Sequence, residues 1–279
     1  MVIEQDVRLA DGRTLRTYDS GPAGRVATGP ALVWHHGSPQ TGALLDPLLA
    51  ATAERGIRLI SYGRPSYGGS TPRPGRDVAS AAADVAAIAD TLGVGRFAVM
   101  GASGGGPHAL ACAALLPDRV TGVVCLAGIA PLTGEFDWSA GMFSDASLRA
   151  AARGREARAE FAEHDEFDPD SFTAADWAAL EGTWASLGVD AQAAGSAGPD
   201  GLIDDDVAFA APWGFELDAV TAPVLLVQGG EDRVIPAAHA DRLLHALPRA
   251  ELWLRPRDSH VSVLSACPVA MDWLRAQAA

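Results

Sequence analysis

The chain has 279 residues, a formal net charge of −14, 21 basic side chains that are all arginine, and 48% hydrophobic residues. The length suits one large α/β domain or a core with an insertion. The surplus negative charge repels nucleic-acid phosphates and anionic lipid, and the absence of lysine excludes Schiff-base chemistry and a lysine general base. Three cysteines, Cys112, Cys125 and Cys267, stand in apolar contexts without metal-type spacing and read as small buried hydrophobes. The first residues carry no basic start followed by an apolar stretch. No apolar run approaches the roughly 20 residues of a membrane span. The expectation is a cytoplasmic protein with a small-molecule substrate, no nucleic-acid or membrane partner, no metal and no cofactor. Its oligomeric state is open.

In chain order, "VIEQDVRLADG" and "RTLRTYD" read as strands joined by an A-D-G hairpin turn. "PALVWHH" is a continuous apolar run, the pattern of a strand covered on both faces. "ALLDPLLAATAERG" reads as a helix closed by Gly56, "IRLISYG" as a strand, and "GRDVASAAADVAAIADTLG" as an amphipathic helix. "RFAVM", "GGPHALACAALLP" and "RVTGVVCLAG" continue as strand, helix and strand. The alternation resumes with "APVLLVQGG", "AHADRLLHALP", "AELWLRP" and the helix "VSVLSACPVAMDWLRAQ". Strand and helix in alternation imply a parallel sheet covered on both faces. Between them, "SLRAAARGREARAEFAEHDEF", "TAADWAALEGTWASLG" and "DGLIDDDVAFAAPWGF" read as helices without strands. We therefore divide the chain into a core of residues 1–131 and 216–279 and an inserted helical cap of residues 132–215.

Gly101-Ala102-Ser103-Gly104-Gly105 fits G-x-S-x-G at a strand-to-helix junction. A serine on such a sharp turn has strained backbone angles, and neighbours without Cβ relieve the crowding. The alternative is a glycine-rich turn whose serine only caps the helix. A serine nucleophile needs a base, and the base needs an orienting acid. His260, in the loop after the last strand, is the candidate base. Asp232, after the penultimate strand, is the candidate acid, with Glu231 and Asp258 as rivals. His239 and His245 read as solvated helix residues, His164 as exposed, and His108 as facing away from Ser103. For the oxyanion, the backbone N–H groups of Ser38, in "HHGSPQTG", and of Gly104 are the expected donors.

"HHGSP", "YGRPSYGGS", "GASGGG", "GGEDRVIP" and "SHVSVL" together resemble the α/β-hydrolase superfamily, in the branch with an H-G-x-P oxyanion loop and a helical cap. The order Ser103, Asp232, His260 is the order of that fold. The resemblance implies a mostly parallel eight-stranded sheet with helices on both faces. Two departures are visible. Gly63 stands where the family often carries an aspartate before the arginine, so the salt bridge of that loop is expected to be absent. Ser259 replaces the usual glycine before the histidine.

The reading that follows is a serine hydrolase, esterase-like or lactonase-like, acting on a small neutral carboxylic ester or lactone. Alternatives are an aminopeptidase or amidase, a C–C hydrolase, and a non-hydrolytic catalyst or ligand-binding protein on the same scaffold. The acidic runs "EHDEFDPD" and "IDDD" could hold a substrate amine, although a solvated face is the expectation for them. Trp34, Phe143, Trp184 and Trp213 are candidates for lining the substrate site, with Trp138 beside them. His36 is a further candidate for that site, though its expected task is to brace the loop.

Overall fold

Strands such as "PALVWH" and "APVLLVQG" have no polar face, so both of their faces must be covered. The computed structural model describes residues 2–21, 29–134 and 136–277, and in it these strands form the middle of an eight-stranded sheet. The strands are β1 (Ile3–Arg8), β2 (Thr14–Asp19), β3 (Ala31–His35), β4 (Arg58–Tyr62), β5 (Phe97–Ala102), β6 (Val120–Leu126), β7 (Val224–Gly229) and β8 (Ala250–Arg255). Their spatial order is β1-β2-β4-β3-β5-β6-β7-β8. All pairs from β4 to β8 are parallel, and β2 pairs antiparallel with both β1 and β4. β3, buried at every position, lies between β4 and β5.

The core connections are helices α1 (Asp46–Glu54), α2 (Ser80–Thr91), α3 (Gly105–Leu115), α9 (Ala237–Ala246) and α10 (Cys267–Gln277). Prolines set two of their starts. Pro47 stands in the first turn of α1, so this helix begins at Asp46. Pro268 does the same for α10, and the residues before it, Ser262–Ala266, form a short 3-10 turn instead of the continuous helix expected. Apolar side chains fill both faces of the sheet. One cluster gathers Val33, Ile60, Val99 and Leu110, the other Leu32, Leu59, Met100 and Met271.

Between β6 and β7 the described residues contain helices and no strand. The helices are α4 (Ala146–Ala151), α5 (Arg155–Ala162), α6 (Ala174–Glu181), α7 (Ala185–Ser196) and α8 (Asp200–Ala210). Two expected helices are divided, each at a glycine. Gly154, with φ of 110°, separates α4 from α5, and Gly182 ends α6 before α7. Glycine leaves a helix at little steric cost, so a periodic pattern running through it does not guarantee one helix.

Candidate active site

The turn at Ser103 explains its glycines. Ser103 has φ of 52°, in the left-handed region that few residues other than glycine adopt. Its backbone N–H donates to the Leu126 carbonyl at 2.8 Å, which ties the turn to β6. The chain then passes so close to its neighbours that side chains do not fit. An ideal Cβ at Gly101 would lie 2.2 Å from the Gly105 carbonyl oxygen, and one at Gly105 would lie 2.0 Å from that of His35. Ser103, half-buried, is thereby presented at the C-terminal edge of β5.

Two other strand ends supply its partners. His260 Nε2 is 3.0 Å from Ser103 Oγ, and His260 Nδ1 is 2.9 Å from Asp232 Oδ2. The Asp232 contact places the proton on Nδ1, leaving Nε2 to accept from the serine hydroxyl. Asp232 is held from behind. Its Oδ1 accepts the backbone N–H groups of Val234 and Ile235, both at 2.9 Å, and its Oδ2 accepts from Gln228 Nε2 at 3.3 Å. Neither rival reaches the ring: Glu231 is exposed, and Asp258 pairs with Arg255. Burial works against the charged imidazole of His260. The Asp232 carboxylate outweighs it, with a smaller contribution from Asp176, so the pKa is raised above its ordinary value.

The loop after β3 faces this serine. An ideal Cβ at Gly37 would lie 3.7 Å from Ser103 Cβ, and one at Gly104 would lie 2.4 Å from Ser38 Oγ. Among the described residues, no acceptor takes the backbone N–H of Ser38 or of Gly104. Two unpaired donors thus stand beside the serine hydroxyl, the arrangement a developing oxyanion requires.

His36 is fully built into the loop. Its Nδ1–H donates to the Gly37 carbonyl at 2.7 Å and its Nε2 accepts the Arg64 N–H at 3.1 Å. It is 1% exposed and offers no surface to a substrate. Trp34, Trp184 and Trp213 are also buried, at 1%, 3% and 4% exposure, and Trp213 Nε1 donates to the Phe209 carbonyl at 3.3 Å. Phe143 is exposed, with its backbone N–H on the Arg233 carbonyl. The aromatic rings beside the three side chains are others. Phe172 stacks on the His260 ring, with centroids 6.4 Å apart, and the Phe209 ring lies against Gly104. Nothing in the sequence distinguishes these two phenylalanines, because each reaches the site from a helix or turn far along the chain.

Three expectations are corrected. His239 is buried rather than solvated: its Nδ1 accepts the Ala130 N–H at 3.1 Å, and burial lowers its pKa to about 4. The run "IDDD" is not a solvated face. Asp204, Asp205 and Asp206 are 2%, 0% and 7% exposed and pair with Arg155, with Arg64 and Arg76, and with Arg158. Arg64 therefore does have a carboxylate partner, supplied from α8. Residues 163–170, by contrast, are exposed as expected. A cavity of about 460 Å³ opens at the other end of the sheet, beside Ala31 and Phe97, and does not touch the site.

A sequence model of the alpha/beta hydrolase fold matches residues 30–266. The chain belongs to the α/β-hydrolase family. This α/β-hydrolase is 30% identical over 247 residues to the pimeloyl-[acyl-carrier protein] methyl ester esterase of Nitrosomonas europaea, covering 86% of this chain and 92% of that one. Its fold is similar to a thermophilic esterase from Thermogutta terrifontis, at 21% identity and a TM-score of 0.73 over 99% of both chains. It is also similar to the enol-lactonase of Burkholderia xenovorans, at 20% identity and a TM-score of 0.72 over 98% and 99% of the two chains. It is an enzyme of the α/β-hydrolase family with esterases among its relatives. Among the described residues, no helix is long and apolar enough to cross a membrane.

Proposed function

We propose that the chain is a serine hydrolase that cleaves a small neutral carboxylic ester or lactone through an acyl-enzyme. The observation that carries this reading is the chain of two hydrogen bonds from Asp232 through His260 to Ser103 Oγ. His260 Nε2 takes the serine proton as Oγ attacks the ester carbonyl. Asp232 holds the tautomer and the charge on the ring. The N–H groups of Ser38 and Gly104 receive the tetrahedral oxyanion, each worth on the order of 10²–10³ in rate. His260 returns the proton to the leaving alcohol. It then takes a proton from water, which attacks the acyl carbon and releases the acid, restoring the Ser103 hydroxyl.

The esterase and enol-lactonase relatives support an ester or lactone carbonyl. The net charge of −14 supports a neutral substrate. The helical segment between β6 and β7 acts as the cap, placing Phe172 and Phe209 beside the reacting groups. An aminopeptidase would want free carboxylates for the substrate amine; Asp204, Asp205 and Asp206 are already engaged by arginines, which leaves only the exposed run of residues 163–170 for that task.

The test is intact-mass analysis after exposure to a fluorophosphonate, with Ser103→Ala beside it. One adduct on the native protein and none on the variant is the expected result, followed by turnover of short neutral p-nitrophenyl esters. A folded native protein that takes no adduct and cleaves no ester would overturn the reading.

A further inference from the structure

Arg64 follows β4, and a carboxylate at position 63 would be its nearest partner along the chain. That position has no room for one. An ideal Cβ at Gly63 would lie 2.6 Å from the Tyr67 carbonyl oxygen and 2.7 Å from that of Thr41, and backbone does not move aside. The carboxylate comes from Asp205 on α8, separated from Arg64 by 141 positions. Arg64 Nε and Nη2 donate to its two oxygens at 3.2 and 2.6 Å. Arg76 Nη2 donates at 2.5 Å, the Tyr67 hydroxyl at 3.0 Å, and the Ser38 hydroxyl donates to it as well. Gly201, one turn earlier on α8, lets the helix lie on the Tyr67 ring, since a Cβ there would come within 2.5 Å of it.

The same guanidinium grips the loop after β3. Arg64 Nη1 donates to the His36 carbonyl at 2.5 Å, and Nη2 to the Gly37 carbonyl at 3.3 Å and to Ser38 Oγ at 3.0 Å. In a trans peptide the C=O and N–H point in opposite directions. Turning the Gly37 carbonyl toward Arg64 therefore turns the Ser38 N–H away from it, leaving that donor without an acceptor among the described residues. Asp205 fixes the guanidinium, and the guanidinium fixes the peptide together with the His36 ring, whose Nδ1–H donates to the same Gly37 carbonyl at 2.7 Å.

We propose that Asp205 is a positioning residue that aims the Ser38 N–H at the oxyanion, so that the helical segment completes the oxyanion hole of the core. The assignment rests on the serine-hydrolase reading. Asp205 touches no substrate and acts only through Arg64 and Ser38. Its loss should weaken binding of a tetrahedral anion and leave binding of the planar ester alone.

The experiment compares Asp205→Asn with Asp204→Asn, a change one residue away on the same helix that breaks a half-exposed pair with Arg155 and a bond from the Ser66 hydroxyl but no contact to the loop after β3. Three quantities are read: kcat, KM and affinity for a phenylboronic acid, which adds to Ser103 Oγ to form a tetrahedral anion. Asp205→Asn should lower kcat and boronic-acid affinity each on the order of 10²-fold, with KM changed less than about threefold. Asp204→Asn should lower thermal stability and leave all three within about threefold.

If Asp205→Asn does not fold, the double variant Asp205→Asn, Arg76→Gln removes one charge of each sign and should show the same loss. Native turnover that depends on Ser103, with boronic-acid affinity unchanged by these variants, would overturn the Asp205 assignment alone. The absence of any Ser103-dependent turnover or adduct would overturn the serine-hydrolase reading, and this assignment with it.

Discussion

Asp176 Oδ1 accepts the backbone N–H of Val261 at 2.8 Å. It also accepts that of Ser262 at 2.9 Å, so a carboxylate on α6 holds the loop that presents His260. Asp176 is fixed in turn by its capping box with Thr173 at the start of α6. One residue thus begins a helix and anchors the candidate base.

Two substitutions separate these roles. Asp176→Asn keeps an acceptor oxygen but removes a negative charge that favours the His260 imidazolium. Its kcat should change little, and the acid limb of kcat/KM should move to lower pH. Asp176→Ala frees the loop, and a displacement of about 1 Å there should cost roughly 10²-fold in kcat. A pH–rate profile of the asparagine variant that superimposes on the native one would remove the electrostatic role.

The native profile has a defined sense. His260 must be neutral to take the serine proton, and its pKa is raised mainly because Asp232 outweighs burial. Activity should therefore rise with pH through a midpoint above 6.5, the ordinary histidine value. Asp232→Asn should lower kcat by about 10³–10⁴, since the wrong tautomer then faces the serine. A midpoint at or below 6.5 in the native enzyme would contradict the pairing.

Acid should destabilise the fold early. His35, His36, His108 and His239 are each about 1% exposed, and burial lowers all four pKa values, that of His35 to about 3. Below pH 6.5 the unfolded chain takes up protons that the folded chain refuses, so stability falls as pH falls. Each histidine should cost about 1 kcal/mol between pH 7 and 5.5. His260 and Asp206, whose pKa values are raised, pull the other way. Urea unfolding at the two pH values should show a net fall of roughly 3 kcal/mol. Equal stabilities would mean that these rings are protonated in place.

Adjacent glycines should fail differently. A Cβ at Gly105 meets backbone, the His35 carbonyl at 2.0 Å, whereas a Cβ at Gly104 meets side chains, the Ser38 Oγ held by Arg64 and Asp205 and the Phe209 ring. Gly105→Ala should cost about 3 kcal/mol, or roughly 5 °C in Tm. Gly104→Ala should cost less stability than Gly105→Ala and lose at least about tenfold in kcat, because Ser38 is pushed from its place. Calorimetry and steady-state kinetics on the pair would distinguish the two, and a Gly105→Ala protein as stable as the native one would refute the steric argument.

The succession of strands and helices along the chain and the three polar groups at the strand ends are readable from local pattern. Continuous apolar runs such as "PALVWH" mark β3, and each of Ser103, Asp232 and His260 stands just after a strand, where parallel topology gathers loops at one edge. Other features depend on contacts that no window of sequence contains. The three aspartates at 204–206 read as solvated because nothing near them is basic, while their arginines lie at 64, 76, 155 and 158. His239 lies on a helix whose amphipathic pattern is clear, yet the Ala130 N–H it receives comes from the end of another strand. Phe172, in a turn, and Phe209, on a helix, lack any signal because aromatic residues in such segments usually pack locally.

The Asp205 cluster also bears on how this enzyme can be re-engineered. Exchanging the segment between β6 and β7 for that of another hydrolase would leave Arg64 and Arg76 entombed without a counter-ion, at 1% and 4% exposure. The two parts are not interchangeable modules. A change of substrate preference is better sought by point replacement of Phe172 and Phe209, with the arginine–aspartate joint left whole.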